Sequence, residues 1–453
     1  MTSSTYRTKS STFLFASLTS ALALASVPAS ASSLTVIKNL CYSGTSCTGS
    51  GGTAGGQGII PDGSGNYFGL TSGGGVYGHG QAFKLKKGSG GTYSYVPIYD
   101  FCPSSGCADG SIPTGKLIID TNGNLYGVTA YGGSCSPDAN GCGTIFELSP
   151  SGVGTTYNLT TLYTFCSTGS TCGDGRNPEG ELTYVGDPSS AYDGSSTLFG
   201  VTTVGGANTK GTVFKLTGVG GTPSESVIYD FCPSSGCADG ATPKSLIADG
   251  SGNLFGNTAL GGADGDGDGT NNGVVFELSP SGGSYTQTVL WTFCATTGCT
   301  DGITPNNQLV ISNTGKLFGT TTWGGANGYG TVFRVTPNGT SSTESVRYSF
   351  CSTGGAACTD GANPDGGIVM DSNGDFIGVT PFGGNRFLPG GTIFKLSGTT
   401  LTTLYSFCSA GTPCSTDGNL PQATVAVDSS GNVFGTNDNG GSHGGGVVFE
   451  FTP

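Results

Sequence analysis

The sequence predicts an all-β fold, a seven-bladed β-propeller whose N-terminal strand closes the last blade. The first observation is a closing motif that recurs seven times. It reads QAFKL at Phe83, TIFEL at Phe146, TVFKL at Phe214, VVFEL at Phe276, TVFRV at Phe333, TIFKL at Phe394 and VVFEF at Phe449. Successive copies stand roughly 55 to 68 residues apart, and each follows a Gly-Gly pair, from Gly73-Gly74 to Gly440-Gly441. Secondly, the segments between copies are short, rich in Val, Ile, Tyr and Phe, and carry no sustained 3.6-residue apolar period. Thirdly, each unit holds four such segments, which is the arithmetic of a propeller blade.

Residues 1–31 read as an export signal. Arg7 and Lys9 give a basic start, Phe13 to Val27 an apolar run, and Ala29-Ser30-Ala31 a small-x-small cleavage site before Ser32. The run is short and broken by Ser, Thr and Pro28, which argues against a membrane anchor. No second apolar segment follows, so the product over 32–453 is expected to be secreted or cell-surface, without membrane insertion. The chain carries 16 basic against 29 acidic residues, a charge of −13, which becomes −15 once Arg7 and Lys9 leave with the signal. Nucleic acid and anionic membrane need basic surface and are excluded as partners. Gly reaches 85 residues, yet the strand-like segments recur on schedule, which low-complexity disorder does not do.

One unit shows the order within a blade. SVIYDFC (226–232) is a strand by its β-branched and aromatic content, followed by the cysteine loop PSSGCADG. PKSLIAD (243–249) is the most apolar strand, and Gly250-Ser251-Gly252-Asn253 makes a tight turn into LFGNT (254–258). A long Gly-Gly loop then leads to VVFEL (274–278). The apolar LIxD strand suits the innermost place, with LYG second, VFxL third and LYxFC outermost. On that order the chain opens with an outer strand, Leu34–Cys41, and ends with three strands, Thr424–Asp428, Asn432–Thr436 and Val447–Phe451. The first strand then completes the last blade and removes the open edge.

The 16 cysteines fall into near-neighbour pairs. Seven follow the outer strands: Cys41/Cys47, Cys102/Cys107, Cys166/Cys172, Cys232/Cys237, Cys294/Cys299, Cys351/Cys358 and Cys408/Cys414. Cys135/Cys142 sits inside one Gly-Gly loop. In an exported chain with two histidines, these read as local disulfides rather than zinc knuckles. Loops this short remove about 2 kcal/mol of unfolded-state entropy per bridge, so their main effect is to stiffen one face of the disc.

The pattern LYSFC…DGxxPxxxLIxDxxGNLYGTTxxGGxxxxGTVFKL resembles the Gloeobacter–Verrucomicrobia tandem repeat of bacterial exported proteins, over essentially all of 34–453. The resemblance implies an extracellular propeller-like protein with no established activity and no catalytic residues to carry over. Members are often anchored by a C-terminal sorting segment, which is not seen after Phe451-Thr452-Pro453.

Chemistry is sparse. Six cysteine loops carry Asp-Gly, at Asp109, Asp174, Asp239, Asp301, Asp360 and Asp417, and these read as turn-formers whose carboxylates cap backbone N–H groups. Asp264, Asp266 and Asp268 alternate with glycines as at the start of an EF-hand loop and suit Ca²⁺, although Val275 stands where the twelfth-position Glu belongs. A solvated acidic loop explains them equally well. No other cofactor is called for. His79 and His443 lie in the Gly-Gly loops of the first and last units, where neighbouring imidazoles would share a metal or a proton. Exposed loop histidines are the simpler reading.

The paired aromatics Tyr99/Phe101 through Tyr405/Phe407 recur strictly and read as packing between blades. Loop aromatics unique to one unit, Tyr77, Tyr131, Trp323, Tyr329 and Phe382, are the candidates for stacking on sugar rings. Two function classes follow: a non-catalytic, monomeric binding or surface-structural protein whose partner is an extracellular glycan, which is preferred, or a secreted polysaccharide-active glycosidase or lyase. A glycosidase needs two carboxylates at defined separation, and the acidic residues are too many for a pair to be chosen. A lyase needs a base, and basic residues are scarce.

Overall fold

A computed structural model of the chain describes residues 32–41, 57–133, 135, 140–152, 156–167, 171–186, 191–262, 272–294, 297–355, 357–386, 390–411 and 413–453. The predicted signal, Cys47, and Asp264, Asp266 and Asp268 lie outside these residues. Among the described residues every regular element is a strand. The strands form seven antiparallel sheets arranged as the blades of a propeller.

Each blade follows the order read from the sequence. In blade 4, Ala241–Ala248 pairs with Leu254–Leu260, that with Val274–Ser281, and that with Ser284–Thr292 on the outside. The second strand is buried along almost its whole length, as in Tyr67–Thr71 of blade 1. A glycine stands at its centre for a steric reason. Gly256 pairs with Phe276, and a Cβ on Gly256 would lie 2.4 Å from the Phe276 ring. Gly69 and Phe83, Gly127 and Phe146, and Gly435 and Phe449 repeat the arrangement. The recurring glycine and the recurring Phe are therefore one feature, a ring lying over the neighbouring strand.

The same Phe joins one blade to the next. Phe231, just after the outer strand of blade 3, meets Phe276 of blade 4 edge-on with centroids 5.2 Å apart. Phe101 with Phe146 does likewise, and Phe407 meets Phe449 in a tilted contact, both at 5.2 Å. These fully buried rings form a core that runs from blade to blade, so no blade has a closed core of its own.

The ring closes as expected. Ser33–Cys41 pairs with the last strand, Gly444–Thr452, in a register from Ser33 opposite Thr452 to Cys41 opposite Gly444. Across the seam Tyr67 of blade 1 stacks on Phe434 of blade 7 with centroids 4.1 Å apart. Blade 3 departs from the common plan. The chain between its first two strands carries Tyr192, which is fully buried against Tyr126 of blade 2 and Tyr184.

Seven disulfides join the expected neighbours. They are Cys102–Cys107, Cys135–Cys142, Cys166–Cys172, Cys232–Cys237, Cys294–Cys299, Cys351–Cys358 and Cys408–Cys414. Cys41 is also disulfide-bonded. Bridges of this number mark a protein of an oxidising, extracytoplasmic compartment.

Cys299 is bonded to Cys294, as expected, and its backbone makes a further contact. In the structure Cys294 is buried and Cys299 half-buried, and the backbone of Cys299 turns to φ 46°. That turn points its carbonyl at two donors, the Gly302 N–H at 3.0 Å and the Gly325 N–H at 2.9 Å. The role of Cys299 is therefore double: its sulfur closes the loop, and its carbonyl fastens that loop to the Gly-Gly loop beside it.

Candidate functional site

The chain returns from the outer strand of one blade to the inner strand of the next through the cysteine loops, and each loop is built around its aspartate. Asp239 Oδ2 accepts the Tyr229 hydroxyl at 2.7 Å and the Cys232 N–H at 3.0 Å. Asp109 does the same for Tyr99 and Cys102, and Asp174 for Tyr163 and Cys166. Asp301, between Cys299 and Gly302, takes the Trp291 indole N–H at 3.1 Å instead. Asp360 and Asp417 take Tyr348 and Tyr405 at 2.7 and 3.0 Å. The recurring carboxylates are therefore caps, as the repeat suggested. Each holds down a loop whose two cysteines adopt positive φ, such as 61° at Cys232 and 46° at Cys237.

The Gly-Gly loops lie on the same face. Gly262 N–H donates to the Cys237 carbonyl at 2.9 Å, and Gly133, Gly206, Gly325, Gly384 and Gly441 bond the carbonyls of Cys107, Cys172, Cys299, Cys358 and Cys414. Immediately after each Asp-Gly the chain is pinned to the preceding blade. Thr242 N–H donates to the Lys210 carbonyl and Asn363 N–H to the Tyr329 carbonyl. The face is thus a belt of disulfide loops stitched to Gly-Gly loops.

The residues proposed for ligand contact are spread around this face. Tyr131 ends the second strand of blade 2 opposite Ser111 and is half-buried. Trp323 holds the equivalent place in blade 5, opposite Ile303, and is 50 % exposed. Tyr329 follows in the same loop as Trp323 but packs against Cys351, Cys358 and Ala362 beneath it. The His79 imidazole lies within 4.8 Å of the Cys102 and Cys107 sulfurs, which are bonded to each other and cannot take a metal. His443 is exposed in the loop of blade 7. Val76 and Tyr77, 60 % and 47 % exposed, add an apolar tip to the blade 1 loop.

The second concavity of the molecule was not read from the sequence. The inner strands surround an axial cavity of about 310 Å³, to which all seven blades contribute. Its lining comes from the residues that follow the junction prolines: Glu179 and Glu181, Lys116, Lys244, Gln308 and Asp365. Two glycines bring the strands together there. A Cβ on Gly115 (φ +71°) would lie 2.0 Å from the Gly180 carbonyl oxygen, and one on Gly180 (φ +73°) 2.4 Å from the Lys244 oxygen. The charges are joined across blades. Lys244 Nζ is 2.6 Å from Glu179 Oε2, and Lys116 Nζ is 3.4 Å from Glu181 Oε2. Lys116 also reaches across the axis to Gln308 Oε1 at 3.1 Å. Asp365 accepts from Asn306 Nδ2 at 2.9 Å and from Thr322 at 3.4 Å.

Burial raises the Glu181 pKa, with Lys116 opposing it. Burial likewise raises that of Asp365, against the Asn306 hydrogen bond and the charge of Lys244. A sequence signal for this cavity did exist: polar and charged residues interrupt the start of strands that are otherwise the most apolar in the unit.

No curated protein matches the chain significantly in sequence. Among solved structures, the extracellular domain of a protein described as a hybrid two-component system from B. thetaiotaomicron superposes with TM-score 0.52 at 11 % identity, covering 92 % of this chain and 39 % of that one. The chain thus spans about two-fifths of that neighbour's length, and the likeness concerns fold. A gluconolactonase from Xanthomonas campestris gives TM-score 0.40 at 12 % identity, over 75 % of this chain and 85 % of that one. A Bacteroides uniformis protein described as a 6-phosphogluconolactonase gives 0.43 at 15 %, over 76 % and 83 %. The family model of the Gloeobacter/Verrucomicrobia repeat matches residues 187–358 and 269–453, more than half of the chain. The protein, a seven-bladed propeller, belongs to the Gloeobacter/Verrucomicrobia repeat family.

Proposed function

We propose that the protein is an exported, non-catalytic binding propeller that holds an extracellular glycan on the face of the cysteine and Gly-Gly loops. One observation carries this reading. The six carboxylates that recur on that face are each engaged by a Tyr or Trp side chain and a backbone N–H, and so are committed to the junctions. That commits to structure the six carboxylates that recur on the face, where a glycosidase would need a free pair. What the face offers instead is Trp323 and Tyr131 on loops stiffened by disulfides, and stiff loops lose little entropy on binding. The leader at 1–31 supports export, and Asp264, Asp266 and Asp268 are proposed to bind Ca²⁺ weakly in the blade 4 loop.

A glycan array followed by product analysis of each hit tests the reading. Binding without turnover, weakened in Trp323→Ala and Tyr131→Ala, is the expected result. Release of shortened or unsaturated sugars at catalytic rates would make the protein an enzyme. Binding indifferent to both substitutions would move the contact elsewhere. For the metal, identical calcium titrations of wild type and Asp266→Ala would leave only a solvated loop.

A further inference from the structure

The geometry points to a second site: the axial cavity binds a small hydroxylated ammonium compound of the amino-sugar class, held by Glu181 and Asp365. This site is separate from the glycan face and does not rest on that reading. The argument begins with charge. Three carboxylates, Glu179, Glu181 and Asp365, face two ammonium groups, Lys116 and Lys244. Lys244 is taken by Glu179 at 2.6 Å, and Lys116 is shared between Glu181 at 3.4 Å and Gln308 at 3.1 Å. Asp365 accepts only from uncharged groups, Asn306 and Thr322.

The second observation is an unmet acceptor. Glu181 Oε1 is buried with no hydrogen-bond partner, on a side chain only 6 % exposed. A buried carboxylate oxygen without a donor costs free energy that a bound cation would recover. Burial raises the pKa of both Glu181 and Asp365, against the opposing charge of Lys116 for the first and the Asn306 hydrogen bond and the charge of Lys244 for the second.

The shape of the cavity limits the occupant. Glu181 and Asp365 stand on blades 3 and 6, and neither belongs to a described cluster of His, Cys, Asp and Glu tight enough to hold a metal ion. An occupant held by both spans from blade 3 to blade 6. The remaining lining, with Ser245, Asn307 and Gln422, both donates and accepts, which matches hydroxyl groups. A volume of about 310 Å³ accommodates a molecule of hexose size. The cavity is reachable from solvent, since the Glu179 side chain in its lining is 36 % exposed.

Isothermal titration of the mature protein with D-glucosamine, D-glucose and N-acetyl-D-glucosamine tests this. Glucosamine should bind at one site, and the two uncharged sugars at least about tenfold more weakly, because a charge-assisted hydrogen bond is lost. Glu181→Gln and Asp365→Asn should each weaken glucosamine about tenfold, and the second decides the matter if the first does not fold. Lys116→Met removes a competing internal ammonium and should tighten binding, an effect that mere damage to the cavity would not produce. Trp323→Ala should leave glucosamine binding unchanged.

Equal affinity for the three sugars, or no glucosamine binding, would overturn the proposal. So would weaker binding in Lys116→Met, or unchanged binding in a folded Glu181→Gln protein. Calcium binding abolished by Glu181→Gln would put a metal in the cavity instead. Loss of glucosamine binding in Trp323→Ala would place the ligand on the loop face.

Discussion

The Tyr229 hydroxyl donates to Asp239 Oδ2 at 2.7 Å, and that oxygen also accepts the Cys232 N–H at 3.0 Å. One carboxylate thus ties the outer strand of blade 3 to the loop that starts blade 4. Removing it leaves two donors without an acceptor, at about 1 to 3 kcal/mol each when buried. Asp239→Ala should therefore lower the unfolding free energy by roughly 2 to 4 kcal/mol in a guanidinium titration. Asp239→Asn, which keeps one acceptor oxygen, should cost less. Equal midpoints for Asp239→Ala and wild type would show the cap to be dispensable.

Two glutamates give the protein a pH dependence. Glu225, on the outer strand of blade 3, is raised to about 8 by burial and then by the charge of Asp174, with the Tyr163 hydrogen bond opposing. Glu344, in the same place two blades on, is raised to about 8 by burial and Asp301, with Arg334 opposing. In the unfolded chain a glutamate titrates near about 4.3, so between there and about 8 the folded state holds protons that the unfolded state releases. The stabilising contribution is complete below the unfolded pKa and is lost as pH rises through about 8. The melting temperature should fall between pH 5 and 9, and the double variant Glu225→Gln/Glu344→Gln should show a shallower fall. An unchanged slope would assign the titration to other groups.

A third expectation concerns the residue two places after each junction aspartate's glycine. It has positive φ whatever its type: 54° at Ile112, 56° at Thr242, 53° at Asn177 and 53° at Asn363. A β-branched side chain is strained there, and asparagine is not. Asn177 Nδ2 also donates to the Ala130 carbonyl at 2.9 Å and Asn363 Nδ2 to that of Thr322 at 3.0 Å. Ile112→Asn should raise the unfolding free energy by about 0.5 to 1 kcal/mol, read from the denaturant midpoint. A lower midpoint would mean that Ile112 contributes packing that outweighs its backbone strain.

Strand order and disulfide pairing were legible because each is written once per repeat, and ring closure followed from the strand order applied to the two ends of the chain. Phe276 and Gly256 mean little alone, but seven copies in the same order define a blade. The aspartate caps were readable for the same reason. The carbonyl of Cys299 was not, because a backbone acceptor leaves no mark on residue type. Tyr192 escaped because it fills a gap that only blade 3 has. The axial cavity escaped for a different reason: its pairs join units far apart in the chain, as Lys116 of blade 2 meets Gln308 of blade 5. Repeat logic aligns equivalent positions, whereas a cavity on the axis is made by non-equivalent residues facing one another. Trp323 was visible as a singular aromatic, and its exposure was not, since Tyr329 in the same loop turned inward.

The pairing of the first strand with the last sets an order on the protein's birth. Asn39 accepts the Ser442 N–H at 2.7 Å across a separation of 403 residues, so the contact cannot form until almost the whole chain has been delivered. Hairpins within a blade close over a few residues, but this one carries a closure entropy of roughly 5 kcal/mol beyond a constant, growing only slowly with length. Six blades can assemble as they emerge while Ser33–Cys41 waits for Gly444–Thr452, the last strand to be made. During that interval the strand nearest in space need not be the chain's own. Exchange of Ser33–Cys41 between neighbouring copies is the characteristic folding error this topology invites, and dilution during refolding is the condition that disfavours it.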